Sequence, residues 1–169
     1  MPATKTADDR SLLLQITQEA FHLPTWNGTN LRASLRRVSA EQAQWLPPGG
    51  RRCIAEIVLH CAYWKYAIRR QLRGDQRGSF GLKGSNWFRI ERTLAPQQWT
   101  QYLELLDDQH RQLCEAISQS PLTMRLSPAA CRPVVRKIFG LAIHDAYHTG
   151  QVQLIKKLWK RSQKATRRP

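Results

Sequence analysis

The sequence predicts an all-α protein: a four-helix bundle with a long crossover loop and a short extra helix near the N-terminus. Three observations carry this expectation. Apolar residues recur at helical intervals over four long stretches, no stretch sustains the two-residue alternation of a half-buried strand, and the prolines fall between the stretches.

The first helix is expected over about residues 7–22, with Leu12, Leu13, Ile16, Ala20 and Leu23 on one side. Pro24 stops it, because proline lacks an amide donor and crowds the preceding turn. After the turn-prone Asn27-Gly28, Thr29 can cap a short helix carrying Leu31, Leu35 and Val38. Ser39-Ala-Glu-Gln42 resembles a capping box, and Pro47-Pro48-Gly49-Gly50 reads as a loop.

A long helix over about residues 53–73 aligns Ile54, Ile57, Val58, Cys61, Trp64, Ile68 and Leu72, with His60 at the edge of that stripe. Residues 74–86 contain four glycines and lead into Trp87-Phe88, the pattern of a crossover loop with an aromatic anchor. A loop of that length in a compact domain is a candidate cover for a functional site.

The third long helix opens near Pro96 and reaches Ser118, with Trp99, Leu103, Leu106, His110, Leu113 and Ile117 on one face. Pro121, Pro128 and Pro133 interrupt the connection that follows. The last helix, about residues 134–160, carries Val134, Ile138, Leu141, Val152, Ile155 and Leu158, and in their midst His144 and His148 take core positions.

Residues 1–160 are expected to form one domain, and residues 161–169 a basic C-terminal tail. The composition, 41% hydrophobic and 23% charged, is that of a globular protein, and no apolar run approaches the ~20 residues that cross a bilayer. The polar first ten residues lack the apolar segment of a signal peptide. The expected location is cytoplasmic, with no membrane partner. Cys53, Cys61, Cys114 and Cys131 show no Cys-x-x-Cys spacing and read as reduced packing residues.

A net charge of +15 raises a nucleic-acid reading. The excess is only partly concentrated in the run from Lys156 to Arg168, and no helix-turn-helix, zinc-finger or RNA-binding aromatic signature accompanies it. A solvated basic face accounts for it more simply.

The chemistry points instead to His144 and His148. Four residues apart, they lie on one helix face with Cβ atoms about 5–6 Å apart, within reach of one ion. A buried, unpaired imidazole costs on the order of 1–3 kcal/mol, so two on one core stripe call for a shared partner. A third imidazole from another helix completes a facial set, and the stripes offer both His60 and His110 for it. Three neutral histidines on a zinc-like ion leave a position for water or substrate, whereas four protein ligands close the site.

Glu56, one turn before His60, is a candidate orienting or acid–base residue; a glutamate there also suits the helix dipole. Gln151, three residues after His148, can orient an imidazole or contact substrate. Asp145 turns away from His144 and is expected to make a surface or helix-neighbour contact. Trp64 and Trp87 are the aromatics expected to line a pocket beside the histidines.

The segments Ile57-Val-Leu-His60-Cys-Ala-Tyr-Trp64 and His144-Asp-Ala-Tyr-His148-Thr-Gly-Gln151 resemble the DinB-like family, four-helix-bundle proteins also grouped as DinB/YfiT-like metalloenzymes. Trp26-Asn-Gly-Thr29-Asn-Leu31 and the stretch from Gly78 to Trp87 are similar to one subgroup. The resemblance implies that His60, His144 and His148 are the metal triad, with zinc foremost and nickel or iron as alternatives. It further implies thiol-dependent transferases and isomerases that use a low-molecular-weight thiol such as bacillithiol, mycothiol or glutathione, and the expected function is a metal-dependent enzyme acting on a small molecule, an S-transferase or a hydrolase. A homodimer is an expected partner arrangement. The alternatives are a metal-binding stress-response or interaction module without catalysis, and a basic nucleic-acid-binding protein.

Overall fold

Proline and glycine set the helix boundaries in the computed structural model, which describes residues 9–166 apart from 77, 79, 92 and 121–132. Helix α1 spans Asp9–Phe21 and ends ahead of Pro24. Two short helices follow, α2 over Leu31–Ser34 and α3 over Ala40–Gln44, where one had been expected. The α2 cap is Asn30 rather than Thr29: its side chain accepts from the Ala33 amide at 2.9 Å. Ser39 caps α3, with Oγ accepting from the Gln42 amide at 3.2 Å.

Helix α4, Ile54–Arg73, stops at Gly74, whose φ of +70° is a left-handed cap that glycine adopts without a Cβ clash. Helix α5, Pro96–Gln119, starts on its proline, where the missing amide costs nothing. Helix α6 runs over Pro133–Thr166, so residues 161–166 of the expected tail continue the helix. Residues 7 and 8, Pro121, Pro128, Cys131 and residues 167–169 lie outside the described residues.

Helix α1 packs on α5 and α6, and α4 packs on the same two. The four longer helices therefore close a ring, compatible with a four-helix bundle; α2 leans on α6 and α3 on α4. The described residues contain no strand, and no described helix is long and apolar enough to cross a membrane. The buried face of α1 is set by Leu13, Thr17 and Phe21, four residues apart. That phase leaves Leu12 and Leu23, both expected inside, at 44% and 37% exposure.

Two apolar clusters fill the core. One gathers Leu31, Ile54, Val58, Leu106 and Val152; the other Leu13, Ile68, Leu113, Ile117 and Ile138. Between them each long helix contributes buried polar groups: Thr17, Lys65, Gln109 with His110, and Asp145 with His148. This polar layer at mid-bundle height is where the candidate site lies.

A candidate metal centre

Helix α4 brings His60 against His144 and His148 of α6. The His60 and His144 Nε2 atoms stand 2.9 Å apart, and the His148 and His144 Nε2 atoms 3.1 Å. His60 and His148 are buried and His144 is half-buried. One ligand atom from each of the three lies within 4.8 Å of the others, close enough to hold a metal ion.

The outer nitrogens show which atoms face the centre as lone pairs. His60 Nδ1 is 2.8 Å from the backbone oxygen of Asn86, which can only accept, so Nδ1 carries the proton. His148 Nδ1 donates to Gln151 Oε1 at 2.7 Å, and Gln151 Nε2 donates to the Tyr147 hydroxyl at 2.9 Å. In the neutral imidazoles both Nε2 atoms are then acceptors facing His144. His144 has at most one Nε2 proton for two acceptors, and its buried Nδ1 has no partner among the described residues. A cation at the centre resolves this frustration, and ligand atoms about 2.0–2.1 Å from one ion have separations of this order. The donor set fits a divalent metal.

The electrostatics favour neutral rings, the form that binds metal. Burial, then the neighbouring His148, His60 and Lys65, push His144 down to about 3. Burial pushes His148 down to about 4 against the opposing bond to Gln151, and burial also lowers His60.

Aromatic groups brace the centre from the crossover loop. Trp87 stacks on His60 with ring centroids 3.7 Å apart and planes within 7°, and the Arg52 guanidinium covers the Trp87 ring at 4.5 Å. Trp64 Nε1 donates to Asn86 Oδ1 at 2.9 Å, so Asn86 holds one ring through its side chain and His60 through its backbone. Asn86 has φ +62°, a left-handed conformation that asparagine tolerates better than most residues. Beside the centre, Trp64, Ile68 and Leu141 wall a cavity of about 570 Å³ that reaches His144.

Glu56 and His110 make their contacts elsewhere. Glu56 Oε2 accepts from the Cys53 amide at 3.3 Å and lies 3.8 Å from Arg52 Nη1, at the start of α4. His110 is buried away from the triad, stacked on Phe21 at 3.8 Å with Nε2 3.4 Å from Cys114 Sγ. Asp145, expected at a surface or helix-neighbour contact, is buried and ion-paired with Lys65 of α4, itself fully buried. Cys61, His144 and Asp145 form a second close trio. It is the poorer metal set, because burial pushes the Cys61 thiol up and Lys65 already occupies the Asp145 carboxylate.

Sequence reasoning missed Asn86 and Lys65. The signal for Asn86 was faint: an asparagine just before Trp87 in a glycine-rich loop. Lys65 follows Trp64 on the stripe edge, and only a tertiary partner identifies it as buried.

Three inward imidazoles with an adjoining cavity can bind a divalent ion within reach of a small molecule. No curated protein and no solved structure matches the chain at significant similarity. The DinB superfamily model matches residues 25–152, a span that takes in His60, Asn86, His144, His148 and Gln151. That match covers well over half of the sequence, and the chain belongs to the DinB superfamily.

Proposed function

We propose that this protein is a divalent-metal-dependent enzyme acting on a small molecule, with His60, His144 and His148 as the metal ligands. The observation that carries the reading is the convergence of three Nε2 atoms of which two are already lone pairs. A divalent ion on three imidazoles supplies Lewis acidity and lowers the pKa of a coordinated water or thiol. We favour zinc, with nickel or iron served by the same imidazoles.

The chain's own groups organise the rest. Asn86 and Gln151 fix the tautomers and ring planes of His60 and His148. Trp87 covers His60, and the cavity walled by Trp64, Ile68 and Leu141 admits a reactant as far as His144. Gln151 is a positioning residue in this reading. The bonds made by Glu56 support a role in capping α4. Hydrolysis and S-transfer with a low-molecular-weight thiol are the two reactions this arrangement would serve, since each starts from a water or thiol whose lowered pKa would leave it deprotonated at neutral pH.

The test is protein purified without added metal. Near-stoichiometric zinc, nickel or iron that disappears in His148→Ala, together with turnover in a panel of thiols and electrophiles, supports the reading. A metal-free wild type whose stability is unchanged by added metal overturns it.

A further inference from the structure

The cavity beside the histidines has a charged end. Helix α6 lines it from Pro133 to His144, with Arg136, Gly140 and His144 at four-residue intervals on one face and Lys137 and Leu141 alongside. At 1.5 Å per residue, Arg136 and His144 are about 12 Å apart along the helix. The stretch between is walled by Trp64, Ile68 and Leu141, and no described carboxylate lines the cavity. Lys137 Nζ donates to the neutral Gln71 Oε1 at 2.6 Å, which positions the ammonium without cancelling its charge.

We propose that this cavity binds a small organic anion with an apolar body, its anionic group at Arg136 and Lys137 and its opposite end at His144. The inference names the substrate class of the proposed metal site and rests on that reading. The volume, about 570 Å³, lies within the range of small-molecule sites. The apolar walls supply burial but do not select charge. The two cations at one end do, and they fix which end of an elongated molecule reaches the histidines.

Gly140 offers a direct probe. A Cβ built there meets no atom within 4 Å, so a larger side chain grows into free space, and leucine is a better helix former than glycine. Anilinonaphthalene sulfonate and its uncharged counterpart phenylnaphthylamine are titrated by fluorescence against the full chain, as purified and after chelation. We expect the sulfonate to bind roughly fivefold tighter or more, as two partly solvated cations allow. The preference should fall to within about twofold when Arg136→Gln and Lys137→Gln are combined, both positions being exposed. Gly140→Leu should weaken both probes by roughly tenfold or more by filling the space.

Equal binding of the two probes, a preference that survives loss of both charges, or probe binding untouched by Gly140→Leu overturns the inference. Metal content is measured on the same samples. Lost anion preference with metal retained removes the substrate class alone; absent metal with stability unchanged by added metal and the preference intact removes the enzyme reading and leaves an anion-binding cavity.

Discussion

His60 is held by Asn86 through a 2.8 Å hydrogen bond to a backbone oxygen, from a residue whose φ is +62°. The left-handed turn aims that carbonyl at the ring, and the Asn86 side chain ties the same turn to Trp64. Backbone geometry, more than side-chain identity, thus sets one lone pair of the centre.

Asn86→Gly and Asn86→Ala should therefore differ. Glycine keeps the left-handed turn and the carbonyl while losing the Trp64 bond, so metal affinity should fall only slightly. Alanine disfavours the turn by about 1–2 kcal/mol and displaces the acceptor, so affinity should fall by roughly 5- to 30-fold. Chelator competition on the two variants checks this. Equal losses would show that the side chain, not the turn, matters.

Lys65 and Asp145 form a fully buried pair between the two apolar clusters. Lys65→Met leaves Asp145 uncompensated and should destabilise the fold by about 3–5 kcal/mol. Adding Asp145→Leu removes the stranded charge and should restore most of that loss. Urea unfolding of both variants measures the difference, and a double variant as unstable as the single one would refute the pairing argument.

How much of this was legible in the sequence follows from what periodicity encodes. Helices α4, α5 and α6 stood out because long amphipathic stripes bounded by proline and glycine leave few alternatives, and the His144–His148 spacing placed two imidazoles on one face. The stripe could not choose between His60 and His110, since each sits at a core phase of its helix. The choice is tertiary: α4 faces α6 at His60, whereas His110 meets Phe21. Asn86, Lys65 and the inward turn of Asp145 were hidden for the same reason, as their partners lie at least 22 residues away along the chain. The phase of α1 was misread because Thr17 is buried, its hydroxyl satisfied by the Leu13 carbonyl at 2.7 Å.

His110 gives a pH signature. Burial, reinforced by Lys65 and His22, pushes it down from 6.5 to about 2, so the unfolded chain takes up its proton first. Its contribution to stability is present above pH 6.5 and is lost as pH falls below that value towards about 2. One such histidine gives a slope of up to about 1.4 kcal/mol per pH unit. His110→Phe should flatten the acid limb of the stability profile by about that slope. Unfolding free energies across the acid range decide it, and an unchanged slope would show that His110 is not held neutral.

Gln151 accepts from His148 Nδ1 and donates to Tyr147, and so fixes which His148 nitrogen faces the centre. Gln151→Ala frees the ring to turn and to place its proton on Nε2, which should cost roughly 10- to 100-fold in metal affinity. Gln151→Glu keeps an acceptor at Nδ1, and its charge makes the imidazole a stronger donor, so affinity should equal or exceed that of the wild type. A group that only closed the bundle would behave differently: both variants would lower stability, and neither would separate metal affinity from unfolding free energy. Measuring the two quantities together on Gln151→Ala and Gln151→Glu distinguishes a residue that orients a ligand from one that fills space, because only the first predicts that a carboxylate rescues what alanine loses.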